Sequence, residues 1–345
     1  MPGVSPGAPL DADALLAPLL GFERVALAVS GGPDSLALLL LAHAFVQAHG
    51  GQDRFLVYSV DHGLRPEAAA EVAFVLREAR RLGFEARGLA WEGAKPATGI
   101  QQAARAARYR LFATAMRADG AAALVTAHHR DDQAETVLMR LAHGSGIEGL
   151  RGMELFSEVD GITVVRPLLG VDPAALHAVV AAAGLTPVTD PSNSDLDYER
   201  VRWRRMLPPL AALGLDAGRI GLFAARMRDA DQALEQTAAA ALAGIAVPPG
   251  ARQVSFERDL LVGLPRAVAV RVVGRLLAHV GGRRKPHALA AVEALADRLR
   301  REPEFRRSSL HGCLVRCEGG TISIENEPGR AAAAARRRRR EPLQP

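Results

Sequence analysis

An apolar run that stops at two glycines and resumes as a second apolar run constrains this chain more than any other feature. Residues 25–41, VALAVSGGPDSLALLLL, read as a buried strand, a tight loop and a helix. Gly31 and Gly32 allow positive φ and a close approach of backbone to ligand. Pro33 suits the first helical turn, where its missing N–H costs nothing. Free N–H groups and the helix dipole then point at whatever lies over the loop, which favours an anion. The loop carries no Lys, so it is not the GxxxxGK phosphate loop closed by Ser or Thr.

The strand–loop–helix pattern repeats. Phe55–Val60 is a second apolar run, ending in Asp61-His62-Gly63, and Glu67–Leu82 has helical spacing. Phe84–Trp91 reads as a third strand, Gln101–Asp119 as a helix and Ala122–Ala127 as a fourth strand. A helix over about Asp131–Ala142, a Gly-rich link His143–Gly152, a fifth strand Ile162–Val165 and a helix Pro173–Ala183 follow. This alternation predicts an α/β fold, a five-stranded parallel sheet with helices on both faces. Ligands of such sheets collect at the carboxyl ends of the strands, where Ser30, Asp61 and His128 fall.

Beyond Asp190 the pattern changes to a polar loop, an Arg-rich helix and Ala-rich helices to about Ala243. Pro248-Pro249-Gly250 is a natural boundary, with helices at Pro265–Val280 and Pro286–Arg301 after it. Leu314–Cys317 and Thr321–Ile324 flank Gly319-Gly320 as a hairpin. The expected organisation is an N-terminal extension (1–20), an α/β domain (21–205) and a helical linker (206–247). A small, mostly helical domain with a β-hairpin (248–328) and a disordered basic tail (329–345) complete it.

Composition bounds the reading. The 345 residues suffice for two domains. The net charge of +5 is matched by Arg336–Arg340 alone, so local clusters must carry any nucleic-acid argument. Two cysteines, Cys313 and Cys317, are too few for a disulfide scaffold and suggest a reducing compartment. The longest apolar run, Leu36–Ala42, is far short of the roughly 20 residues needed to span a membrane. The expected location is the cytoplasm, with no membrane partner.

Four clusters could carry chemistry. In His128-His129-Arg130-Asp131-Asp132-Gln133-Ala134-Glu135-Thr136, an acidic helix start explains one Asp but not both histidines and Glu135. Asp132 and Glu135 share a helix face and could hold an amine, or Mg²⁺ beside phosphates. Adjacent His128 and His129 rarely converge on one zinc. Asp61-His62-Gly63-Leu64-Arg65 is either a turn or part of a ligand pocket. Arg105 and Arg108 share a helix face that either pairs phosphates or faces solvent. Arg200, Arg202, Arg204 and Arg205, with Trp203 between them, suit a phosphate or an RNA backbone, or a charged interdomain helix.

Taken together, these motifs resemble the tRNA(Ile)-lysidine synthetase family of ATP-pyrophosphatases. SGGPDS (30–35), VDHGLR (60–65), ARAARYRLF (104–112), HHRDDQAET (128–136), GSGIEGLRGM (144–153), RPLL (166–169) and DPSN (190–193) stand in the family's order. The family's RNxxR element is Arg200-Val201-Arg202-Trp203-Arg204 here, with Val201 in place of Asn. The resemblance implies a Rossmann-like, adenine nucleotide alpha hydrolase-like fold and a small tRNA-contacting domain over 248–328. It also implies adenylylation of the wobble cytosine of tRNA(Ile) with a CAU anticodon, then displacement of AMP by free L-lysine. Ser30, Gly31, Gly32, Pro33, Ser35, Asp61, Arg108 and His129 would bind ATP, with Asp34 also holding Mg²⁺. Asp132 and Glu135 would hold lysine, and Arg200 or Arg204 would contact phosphates or the lysine carboxylate. The assembly is open between monomer and homodimer. The nearest rivals are other ATP-pyrophosphatases, such as a tRNA thiolase, or an RNA-binding nucleotide sensor without turnover.

Overall fold

The computed structural model describes residues 10–96, 98–188, 195–282 and 289–327. Asp190-Pro191-Ser192-Asn193 and Arg336–Arg340 lie outside the described residues. The chain divides into two compact units, Met1–Gly144 with Gly149–Ala225, and Ser145–Glu148 with Arg226–Pro345. The division falls inside one long helix rather than at residue 205 or 247.

In chain order the first part runs α1 (Ala12–Leu16), β1 (Val25–Ala28), α2 (Pro33–His49), β2 (Phe55–Asp61), α3 (Ala68–Arg81), β3 (Glu85–Ala90), α4 (Ile100–Asp119) and β4 (Ala123–Val125). It continues with α5 (Arg130–Ala142), α6 (Ile147–Leu150), β5 (Phe156–Val159), β6 (Ile162–Val165), α7 (Pro173–Ala182), α8 (Glu199–Ala212) and α9 (Ala217–Ala243). The strands form one sheet in the order β3-β2-β1-β4-β6-β5. β1 pairs in parallel with β2 on one side and β4 on the other. The order of connection across the sheet therefore reverses between β1 and β4, and ligands of such sheets bind in the crevice outside the strands' carboxyl ends at that switch point.

Alternate residues of β1 serve the two faces of the sheet. Leu27 packs with α2 and α7 residues such as Leu36, Leu39 and Leu176, while Ala26 packs with Tyr109, Phe112 and Met116 of α4. Leu36, Leu38 and Leu39 are all fully buried, so α2 is apolar on nearly every side, as a helix enclosed by core must be.

Two expectations need correction. The sheet has six strands, because β5 adds an antiparallel edge to β6. Phe156–Val159 alternates exposed Phe156 and Glu158 with half-buried Ser157 and Val159 and carries no continuous apolar run, but the link to β6 is Asp160-Gly161, both with positive φ. An Asp-Gly pair between two short runs is a strong hairpin signal.

The second unit is likewise more than helices and a hairpin. It contains β7 (Gln253–Glu257), α10 (Arg258–Val262), α11 (Arg266–Gly281), α12 (Leu289–Arg301), β8 (Phe305–Leu310), β9 (Cys313–Glu318) and β10 (Thr321–Asn326). The β9–β10 hairpin turns at Gly319-Gly320 as expected, but it is the middle of a four-stranded antiparallel sheet, β7-β10-β9-β8. β8 is Arg- and Ser-rich because only one face is covered, and its turn, His311-Gly312, again has positive φ at both residues. The covered face packs Val315, Cys317, Ile322 and Ile324 against Val272, Leu276 and Leu295 of α11 and α12.

Candidate active site

The SGGPDS loop follows β1 and opens α2. Gly31 sits at φ 88°, and a Cβ there would meet Val188 Cγ2 at 3.0 Å and Val75 Cγ2 at 3.3 Å. Its carbonyl accepts from Val188 N at 2.9 Å, so the strand end is clamped by the segment after α7. Gly31→Ala is expected to lower stability by about 1–2 kcal/mol through the positive φ alone; an unchanged urea-unfolding midpoint would contradict this.

Gly32 is the N-cap of α2 and supplies no side-chain cap, and Pro33 follows it. The helix start thus presents unsatisfied backbone N–H groups to an anion. Ser35 Oγ accepts from Ser30 N at 3.1 Å, donates to Gly32 O at 2.9 Å and lies 3.2 Å from Ser30 Oγ. Ser35 is buried, and its hydroxyl braces the loop.

Across the crevice, β4 leads into α5 through His128 and His129. His129 is the N-cap of α5: its Nδ1 accepts from Asp131 N (3.2 Å) and Asp132 N (3.5 Å), while Asp132 Oδ2 accepts from His129 N (3.1 Å). This capping box assigns the ring proton to Nε2. Nε2 lies 3.6 Å from Asp34 Oδ2 and 3.4 Å from Asp132 Oδ2. One buried imidazole therefore joins the carboxylate of the loop to the carboxylate of α5. Burial lowers the His129 pKa, but Asp34, Asp132 and Asp131 outweigh it and raise it. Asp34 is pushed up by burial and down, with the larger net effect, by His129 and His177.

Asp132 and Glu135 do share a face of α5, but their environments differ. Glu135 is fully buried, its Oε2 accepting from Arg200 Nε (2.9 Å) and its Oε1 from Arg204 Nε (2.7 Å). Arg204 Nη2 also reaches Asp132 Oδ1 at 3.4 Å, and Arg200 Nη2 donates to Thr136 Oγ1 at 3.2 Å. The two arginines are four apart on α8, so both meet one carboxylate; Val201, where the family pattern has Asn, is buried. Glu135 thus fixes the arginines, and Asp132 is the carboxylate nearer the crevice.

Arg108 on α4 is half-buried beside Tyr109, its pKa lowered by burial and by Arg105 and Arg200. His128 is pushed down to about 4 by burial and by Arg166, Arg200 and Arg108 against Asp132, so it is neutral at pH 7. Its Nδ1 pairs with Thr126 Oγ1 at 2.8 Å. Asp61, by contrast, forms a turn: its Oδ1 accepts from Gly63 N at 2.7 Å.

Further residues complete the site, and one of them, His177, carries no sequence signal of its own. His177 on α7 places Nε2 3.3 Å from Asp34 Oδ1, and nothing near it in the chain marks it out. Gln133 donates to Met153 O (2.9 Å) and accepts from Met153 N (2.6 Å), while Arg140 donates to the carbonyls of Gly149 and Gly152. Buried Arg166 donates to Glu154 O and Ser157 Oγ. These three side chains hold residues 149–157 against α5 and the sheet. The HHRDDQAET and GLRGM motifs are therefore two parts of one structure.

Comparison with known proteins agrees with this geometry. Residues 10–211 match the model of the PP-loop domain. The tRNA(Ile)-lysidine synthase of Methylobacterium nodulans is 48% identical over 324 residues, covering 89% of this chain and 91% of that protein. Enzymes of the same name from a Bradyrhizobium strain and Rhodopseudomonas palustris are 40% and 43% identical, each covering about nine-tenths of both chains. This chain belongs to the tRNA(Ile)-lysidine synthase family. It is accordingly an ATP-using ligase of the PP-loop type that forms a C–N bond on tRNA. The solved structure of the U34-tRNA thiolase NcsA of Methanococcus maripaludis shares the fold, with a TM-score of 0.50 at 14% identity over 59% of this chain and 72% of that one. No described helix is long and apolar enough to cross a membrane.

Proposed function

We propose that this lysidine synthase family member joins the ε-amine of L-lysine to C2 of the wobble cytosine of tRNA(Ile) bearing a CAU anticodon. The single observation that carries the reading is His129, which links Asp34 at the phosphate loop to Asp132 at the start of α5 across the β1/β4 crevice. One imidazole within ion-pair distance of both carboxylates supports reading the loop and the start of α5 as two halves of one site.

In the first step the C2 carbonyl oxygen attacks the α-phosphorus of ATP, and pyrophosphate leaves. The open N–H groups of α2 and the glycine loop bind the phosphates and stabilise the charge on the departing group. Arg108, a cation with no acidic partner among the described residues, lies near enough to His128 and Arg200 for their charges to interact and would neutralise phosphate charge. Mg²⁺ fits here as an ion shared with the phosphates. It needs only one or two carboxylates from protein, and Asp34, beside the open helix start, would supply one. When bound, the ion would neutralise phosphate charge.

In the second step the lysine Nε–C2 bond forms and the C2–O bond breaks, so AMP departs with the former carbonyl oxygen. The amine must first lose a proton, against a reference pKa of about 10.4. Asp132 orients the ammonium and accepts that proton, while Arg204, fixed by Glu135, meets the lysine carboxylate. Asp132→Asn should therefore retain tRNA-dependent pyrophosphate release while losing most incorporation of labelled lysine. Equal retention of both steps would remove Asp132 from the amine site. Both cysteines are buried on β9 of the second unit, bonded to backbone carbonyls, which gives no support to a sulfur-transfer reading.

A further inference from the structure

A cluster that the proposed reaction does not use lies at the carboxyl end of the sheet's other edge. β2 ends at Asp61 and β3 at Ala90, paired in register, and the next residues are His62 and Trp91. Trp91 N donates to Asp61 O at 2.8 Å, which fixes the two strand ends together. The His62 and Trp91 rings meet edge to face, 6.4 Å between centroids at 87°. Lys95 Nζ lies 4.0 Å from the centroid of the Trp91 ring and donates to the Trp91 carbonyl. His62, Trp91 and Lys95 are each half-buried, and Glu92, Gly93 and Ala94 between them are exposed.

This arrangement is not core packing. A core tryptophan buries its indole among apolar side chains, whereas here a cation and an imidazole frame a half-exposed ring on the ligand-binding side of the sheet. Trp91 is one of two tryptophans, and Lys95 one of two lysines in a chain with 43 basic residues, nearly all Arg. Arginine would lay a flat guanidinium over the indole, while lysine covers it with a compact ammonium on a flexible stem that can swing aside. Trp91 sits two strands from the phosphate loop and His62 one, about 10 and 5 Å away at the usual strand spacing. The platform is thus beside the crevice that takes ATP and the reacting base, not in it.

Resting on the tRNA reading above, we propose that His62, Trp91 and Lys95 form a stacking platform for an unpaired RNA base neighbouring the one modified, with the Lys95 ammonium on a flanking phosphate. Single-stranded loops are recognised by such aromatic faces, and stacking tolerates any base.

Trp203→Phe leaves Trp91 as the sole tryptophan, so its emission reports on the platform directly. Titration with a CAU anticodon stem–loop RNA should quench that emission, and ATP alone should leave it unchanged. Trp91→Ala should weaken binding of the stem–loop about tenfold, with Trp91→Phe recovering most of it and the KM for ATP unaffected. Lys95→Ala should reduce the slope of log affinity against log salt by about one. Quenching by ATP alone would make the platform an adenine site and overturn the proposal. Stem–loop binding that survives Trp91→Ala unchanged would leave the cluster a brace of the β3–α4 loop and sink the platform alone. A parent protein that binds no such RNA would sink the tRNA reading with it.

Discussion

Replacing Arg200 and Arg204 together by alanine is expected to destabilise the protein by about 3–5 kcal/mol, the cost of leaving a buried charge without a partner. Glu135 has no exposed surface and both its oxygens are taken by these arginines. Without them its carboxylate is buried with neither of those charge partners. The reverse change should be milder. The arginine side chains are 39% and 46% exposed, so in Glu135→Gln they regain water, and the amide keeps the packing volume. About 1–2 kcal/mol is expected for that variant. Urea unfolding of the full chain measures both. A double-arginine variant as stable as Glu135→Gln would show that Glu135 does not depend on α8 and would free it to receive the amine itself.

The second large effect is expected at Asp34. Asp34→Asn should reduce ATP-dependent pyrophosphate release about 100-fold or more, the scale seen when one preorganised group facing developing charge is removed. Lysine incorporation should fall with it, since no adenylylated tRNA forms. This is the opposite pattern from Asp132→Asn, so the two variants separate the half-reactions. Asp34 also sets a pH dependence. Its carboxyl is held below the usual value by His129 and His177 against burial, which pushes it up. A group lowered in this way contributes stability above its unfolded value, about pH 3.9, and loses that contribution as the pH falls through the folded value. The parent should therefore lose more stability than Asp34→Asn as the pH falls below about 4, while near neutrality the contribution is full and constant and the two proteins share the same pH slope from this group.

Much of this was legible in the chain itself, for identifiable reasons. The parallel sheet announced itself because β1, β2, β4 and β6 are largely buried on both faces and read as near-continuous apolar runs, broken only by Ser59 and Thr163 before their ends. Asp132 and Glu135 could be placed on one helix face from spacing alone. What spacing could not supply was the partner. Arg200 and Arg204 come from a helix more than sixty residues away, and only their arrival turns Glu135 from a receptor for an amine into an anchor for two cations. His177 was invisible for the same reason: a histidine on an otherwise apolar helix has no local pattern, and only the packing of α7 against α2 brings it to Asp34. β5 was missed because each of its faces mixes one apolar and one polar residue, and β8 because its uncovered positions are Arg and Ser. Their glycine turns, Asp160-Gly161 and His311-Gly312, were the readable sign.

The central claim is that ATP cleavage at the glycine loop activates a tRNA base for attack by lysine. Its most direct test is AMP release together with incorporation of labelled lysine, using isoleucine and methionine tRNAs that share the CAU anticodon. The proposed mechanism predicts lysine-dependent AMP release with lysine recovered on the isoleucine tRNA and little on the methionine tRNA. AMP release that proceeds equally without lysine, or turnover with neither tRNA, would contradict it.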